Sequence, residues 1–496
     1  MQDSKQLELS LKTLAATIFL GVAGDLLLRD VPWGIGFAIY GFVILAVGTY
    51  LYRKGTQEFG KGIFWVIPPA LLFASLFAWR DSNDLKLLNG TCLALLVGVL
   101  ALRARTGRID VATLIDYPCR LVERWVVFLS DFVHLAGLEG KGKDFGRLMF
   151  GKRLAAFTRG ILIAAPLLVV FGVLFASSDA VFSHLAERAF SFDAGEAFSH
   201  VCVTVACIWL TGGFLRRLFL VQEGQPNNAS FANPEGSSTP SEKPGFQIGI
   251  TEITIVLSTL NALFLSFVAV QFRYLFGGSA LVQKTAHLSY STYARQGFFE
   301  LVLVAFLGLA VLVAGHSVLR KENARDWRSF AALALTLVSL IFVVMASAVA
   351  RMHLYVEAYG ITRERLYALA ALLWLALVFA WFCATTLRRR SDRFAAGALT
   401  LLLAVVFGLN CINPDGTIAR LNTSRSLSKI DGEYLGSLSN DAAPQLLAAL
   451  PNLPAEAKSK LISSLNSRKR QLQTDDWRSW DIGSEEAGRM LRRSGF

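Results

Sequence analysis

"GITEITIVLSTLNALFLSFVAVQFRYLFGG", residues 249–278, decides the fold. A membrane-crossing helix takes about twenty mostly apolar residues, and this stretch supplies them with only Glu252 near its start and Arg273 near its end. At about 100° per residue, Thr251, Glu252, Thr254, Ser258, Thr259, Asn261 and Ser266 fall on one half of the circumference. Isoleucine, valine, leucine and phenylalanine fill the other half. Such a stripe has two readings. Ser, Thr and Asn can bond neighbouring helices, or the stripe can border an aqueous path, because polar groups within a bilayer usually face a bundle interior or a water-filled cavity.

The rest of the chain agrees with a membrane assignment. Of its 496 residues 54% are hydrophobic and 17% charged, against about 25% charged in soluble proteins. Mean hydropathy is +0.47. Ten further stretches resemble the first, giving about eleven spans near 12–28, 34–52, 62–79, 86–102, 155–176, 197–215, 249–274, 297–318, 328–349, 366–387 and 394–412. The expected fold is therefore an all-α polytopic integral membrane helical bundle with a small helical C-terminal tail.

Loop charge orients the bundle. With a cytoplasmic N-terminus, "YRKGTQEFGK", "RARTGR", Arg216–Arg217, "RKENARDWR" and "LRRRSDR" all lie inside, as the excess of Lys and Arg in cytoplasmic loops requires. The net charge of +12 is explained in this way, and no nucleic-acid motif is present, so nucleic acid is not an expected partner. An odd number of spans places the tail outside.

This reading divides the chain at residues 1–102 (four spans), 103–154, 155–221 (two spans), 222–247, 248–412 (five spans) and 413–496. The 103–154 connection contains "YPCRLVERWVVFLSDFVHLAGL", apolar along one side. It reads as an amphipathic helix on the cytoplasmic face or packed on the bundle. Lys141, Lys143, Arg147, Lys152 and Arg153 follow it, which suits anionic lipid headgroups. "EGQPNNASFANPEGSSTPSEKPG" (223–245) has the composition of a flexible linker. In the tail, Asp441 is placed to cap one short helix and Pro454 to open another.

A second polar region is expected at the outer ends of spans seven to ten. In "STYARQGFFEL" (291–301) the acid Glu300 falls in the first turn of a span, where exposed amides and the helix dipole favour a carboxylate. "ARMHLYVEAYGITRERLY" (350–367) crowds Arg351, His353, Tyr355, Glu357, Arg363 and Arg365 into one short connection. Arg351 with Tyr355, and His353 with Glu357, share faces at i,i+4. Gly360 would end the helix and Thr362 cap the next. Pairing Glu300 or Glu357 with Arg295, Arg351, Arg363 or Arg365 would build a polar site. An interfacial belt of Tyr and Arg is the other reading. Asp25, near the end of the first span, has Arg29 at i+4.

Nothing builds a nucleophile triad, a phosphate loop, a zinc site or a haem pair. The six cysteines and six histidines are scattered, so no catalytic residue, metal or cofactor is expected. The lipid bilayer is the expected partner, with anionic lipid at the basic connection, and the sequence names no substrate or protein partner. "YLFGG", "YSTYARQGFFEL", "RMHLYVEAYGITRERL" and "NPDGTIARLN", in that order, with "FASSDAVFSH" earlier, resemble the landmarks of the bacterial membrane family catalogued as domain of unknown function 4153 and of its close relative 4173. That resemblance implies a multi-pass inner-membrane protein and brings no substrate or catalytic residue. The function classes left open are a transporter or permease, a membrane sensor or regulatory scaffold, and a membrane-embedded enzyme of lipid or envelope substrates.

Overall fold

The computed structural model describes residues 19–20, 22–24, 26–28, 31–54, 65–106, 152–178, 182, 249–275, 298–319, 324–424, 431–472 and 476–494. Span six, most of the 103–154 connection, the 223–245 linker, Asp25, Arg29 and Arg295 lie outside them. The described elements are helical. Nine belong to the apolar part: α1 (Ile35–Lys54), α2 (Ile67–Ser75), α3 (Asn83–Thr106), α4 (Lys152–Ser178), α5 (Ile250–Leu275), α6 (Phe298–Val318), α7 (Ala324–Tyr359), α8 (Arg363–Thr385) and α9 (Phe394–Ile412). The tail adds α10 (Pro414–Ser424), α11 (Gly432–Ser437), α12 (Ala443–Ala449), α13 (Ala455–Gln471) and α14 (Ile482–Arg493).

Five helices among the described residues are long and apolar enough to cross a membrane: Ile250–Gln271, Phe298–Ser317, Ala324–Glu357, Arg363–Arg388 and Phe394–Ile412, with mean hydropathies of 2.2 to 2.6. Ile35–Val47, Ile67–Ala78 and Leu167–Ser178 are shorter apolar stretches. The chain is thus a helical membrane protein. Five spans are described, where the composition predicts about eleven over the full length.

Two compact units interleave along the chain. The first comprises residues 1–114, 356–381 and 390–496. Its apolar core joins α1, α2, α3 and α9 through Ala38, Leu45, Phe73, Phe77, Leu96, Leu403 and Val406. The Phe37 and Phe77 rings stack at 4.3 Å. A Cβ at Gly41 would stand 3.0 Å from that of Ala74, so the small pair lets α1 and α2 approach. The tail has its own leucine core of Leu435, Leu446, Leu461, Leu465 and Leu491, all buried.

The second unit comprises residues 115–355 and 382–389. Here α4 and α5 run parallel. Phe171 meets Phe264 at 5.3 Å, and Phe175 stacks on Phe267 at 4.0 Å. α6 and α7 form an antiparallel pair, with Gly315 beside Phe330 and Gly308 beside Ile341. Lipid tails are as apolar as leucine, so close packing of this kind has to supply association between membrane helices.

Candidate functional site

Within the first unit, the tail meets the ends of several helices at one polar junction. Three short segments contribute to it: the turn before α3 (Arg80 to Lys86), the turn between α7 and α8 (Gly360 to Arg363), and the bend from α9 into α10 (Asn410 to Asp415).

The bend comes first in the logic. Asn413 ends α9 in the left-handed region, at φ 54, a conformation that asparagine tolerates better than most residues. Its side chain then accepts from Gly416 N at 3.0 Å and donates to the Asp441 carbonyl at 2.9 Å. Pro414 opens α10, and Asp415 falls in its first turn. The Asp415 carboxylate is fully buried and receives Arg363 in a two-pronged pair, Nε at 2.8 Å and Nη2 at 2.7 Å. Ser439 N donates to the same carboxylate at 2.8 Å. Burial would raise this acid, but the Arg363 hydrogen bonds and charge outweigh it and hold Asp415 below the usual carboxylate value. The backbone of Arg363 is fixed as well, its N–H donating to Tyr434 Oη at 2.9 Å.

One turn earlier, Gly360 ends α7 at φ 77, where the sequence places the stop. The next residue is clamped at both backbone groups: Ile361 N donates to Asn422 Oδ1, and Asn422 Nδ2 donates to Ile361 O, each at 2.8 Å.

The turn before α3 is held by two aspartates from opposite sides of the junction. Asp81 N and Ser82 N donate to Asp441 Oδ2 at 2.8 and 3.0 Å. In return Asn440 N donates to Asp81 Oδ2 at 2.9 Å. Helix starts leave amides without intrahelical partners, and here each turn supplies the acceptor for the other. This corrects the expectation that Asp441 caps its own helix. Its carboxylate is given to the start of α3, about 360 residues away.

Deeper in the junction, Lys86 Nζ donates to Asp481 Oδ2 at 3.1 Å, with side chains 2% and 1% exposed. Asp81 lies 3.5 Å from the same ammonium. Asp481 also caps α14 through Ser484 N at 2.8 Å. Asn89 and Asn410 exchange amide hydrogen bonds at 3.1 and 2.9 Å, and Arg80 Nε donates to Asn410 O at 2.9 Å. The cluster holds three carboxylates (Asp81, Asp441, Asp481) and two cations (Arg80, Lys86). Burial, and then the charge of Asp81, push the Asp441 carboxyl up to about 7. Burial also raises Asp481. Asp441 Oδ1 has no hydrogen-bond partner and lies 3.9 Å from Arg80 Nη1.

Of the residues singled out in the sequence, this junction takes Arg363, whose partner is Asp415 and neither Glu300 nor Glu357. Arg365 donates to the Gly360 carbonyl. Glu357 is exposed near the end of α7. In the second unit, Arg351 is buried and donates to Ser178 O at 3.0 Å. His353 is exposed, Tyr355 is half-buried, and Glu300 is half-buried in the first turn of α6. On α5, Glu252 and Asn261 are buried, Thr254 and Thr259 half-buried, and Thr251, Ser258 and Ser266 exposed. Thr259 and Ser266 return their hydroxyls to α5 carbonyls at 2.5 and 2.7 Å. Asn261 Nδ2 reaches across to Leu333 O on α7 at 3.0 Å.

Sequence reasoning missed Asp81, Lys86, Asp441 and Asp481 as a group. A signal for part of it was present. "RDSNDLK" (80–86) is unusually charged for so short a turn between apolar runs. Asp415 sits inside "NPDGTIARLN". Among the described residues, no group of three or more His, Cys, Asp or Glu is placed to hold a metal ion.

A family model described as a domain of unknown function (DUF4153) matches residues 67–449. No curated protein and no solved structure matches the chain.

Proposed function

The chain belongs to the DUF4153 family, and from that premise we propose that it is a multi-pass membrane regulatory scaffold whose C-terminal helical module acts as the receiving element. The observation that carries this reading is the buried ionic junction. A tail that merely trailed from the last span would not bury Asp415, Asp441 and Asp481 against turns that begin and end membrane helices. Breaking a buried ion pair costs about 3–5 kcal/mol, so any event that shifts the tail is felt at the ends of α3, α8 and α9. The excess of Lys and Arg in the opposite loops supports an outer location for the junction, and the family resemblance supports an inner bacterial membrane.

The test uses the whole protein in lipid nanodiscs. The native cysteines are removed and one is placed at Tyr50, toward the far end of α1. Thiol labelling is then compared between the parent and Asp415→Asn. A several-fold change in labelling at the far end supports relay. Unchanged labelling, with the tail shown to be loosened by faster labelling of a cysteine at Leu446, leaves the junction as a static anchor and ends the proposal.

A second reading, a transporter, is favoured by one observation. Both amide atoms of Gln271, buried in α5, lack hydrogen-bond partners, as do Asn261 Oδ1 and Ser347 Oγ. Unsatisfied polar atoms in a membrane helix point to water or a solute. Labelling of a cysteine at Ser258 or Asn261 by an impermeant thiol reagent in intact cells would move transport ahead. Protection at both positions, with a cysteine at Tyr293 labelled, would remove a path along α5.

A further inference from the structure

The tail segment "DWRSWDI" (476–482) carries three large apolar side chains that its own leucine core does not use. Trp477 is 63% exposed, Trp480 40% and Ile482 47%. The segment is not loose. Asp476 receives Arg478 N at 2.9 Å, and Ile35 N donates to Trp480 O at 2.9 Å. Arg478 Nη1 donates to Leu26 O at 2.7 Å. A Cβ on Gly34 would run into the backbone of Ser479, so only glycine lets the two chains lie this close. The backbone is therefore fixed at the first residue of α1 while the two indoles point away from the tail's own core.

What they meet is indicated by their neighbours. The apolar run of α1 begins at Ile35, the residue whose amide Trp480 holds. Trp33, exposed one residue before Gly34, lies 5.2 Å from Phe37 and 6.2 Å from Phe77. Trp79, in the turn between α2 and α3, has Arg80 4.9 Å above its ring. Leu26, whose carbonyl takes Arg478, is exposed beside this end. Four tryptophans thus gather at the level where apolar helices give way to a charged junction. Indole, apolar with one N–H donor, is enriched at the headgroup level of bilayers for this reason. Polar backbone and Arg478 on one side, with lipid-facing helix surface on the other, match that zone and do not match bulk water.

We propose that the 477–482 segment is a lipid-binding surface which seats the tail in the headgroup–acyl boundary, with a phospholipid bilayer as its partner. The tail is then held twice: by the ionic junction to its own helices, and by Trp477, Trp480 and Ile482 to the membrane. This inference goes beyond the regulatory reading and does not depend on it.

The experiment is site-directed spin labelling of the full chain in phosphatidylcholine nanodiscs. Single cysteines replace Trp477 and, separately, Ile482 in a background without native cysteines. Glu456→Cys, on a side chain 85% exposed, gives the aqueous reference. The expected result is that collision with oxygen exceeds collision with a water-soluble nickel chelate at 477 and 482, reversing the order at 456. The Ile482 site keeps the test decisive if loss of an indole disturbs folding. Chelate accessibility equal to that at 456 would overturn the proposal. Protection from both relaxers would overturn it too, because the patch would then be covered by protein.

Discussion

Arg363 and Asp415 show how one residue pair decides a local structure. The guanidinium fork matches both oxygens of a buried carboxylate, which a lysine ammonium does not. Arg363→Gln should destabilise the protein by about 3 kcal/mol, read as a lowered midpoint in thermal unfolding in nanodiscs. Arg363→Lys should recover only part of the loss. Asp441 makes a pH prediction whose sign follows from its raised value. The folded state keeps a proton near pH 7, whereas the unfolded chain releases it near the ordinary value of 3.8. The associated stability is fully present below 3.8 and is lost as pH rises through about 7. Asp481 shifts in the same direction. Asp415 is held low, so its contribution is present above the ordinary carboxylate value and fails as pH falls through its folded value. Tail docking should therefore be tightest in mild acid. Asp441→Asn keeps an acceptor for the Asp81 and Ser82 amides and should flatten the slope between about 4 and 7. Hydrogen exchange at residues 440–446 as a function of pH measures this directly.

At the scale of elements, two chain reversals set the geometry. Gly360 has the left-handed conformation that lets α7 stop and α8 begin, placing Ile361 against Asn422 and Arg363 against Asp415. Gly360→Ala should cost about 1–2 kcal/mol and weaken the junction without touching any of its charges. A calorimetric scan at one pH tests it. Gly34 acts through space instead: any side chain there must displace the Ser479 backbone. Gly34→Leu should unseat the 477–480 segment and speed hydrogen exchange of the Ile35 amide, while α6 and α7 keep their protection.

For the whole molecule, the directions of α4 and α5, of α6 and α7, and of α1, α2 and α3 each agree, within their own unit, with the alternation that loop charge predicts. The turns at 31–34, 79–85 and 360–363 and the tail, all assigned by that alternation to one side, meet at a single junction. Cysteines at Glu456 and Tyr50 should accordingly react from opposite sides in intact cells, with an impermeant reagent reaching only the first. Equal reaction at both would overturn the topology.

Apolar run length and loop charge were legible in residues 249–278 and their counterparts because the bilayer imposes a length and a hydropathy on each helix independently of its neighbours. The stop at Gly360 was legible for a similar reason, since a left-handed residue is a local property. The partner of Arg363 was not. Several acids lay within reach on composition alone, and the choice of Asp415 depends on the bend at Asn413 and the packing of α10. Asp441, read as a local cap, became an acceptor for α3 because the tail folds back over that turn. Local rules decide what each segment is. Which charges share a buried site is decided by contacts between segments hundreds of residues apart, and only the tertiary structure of this chain contains them.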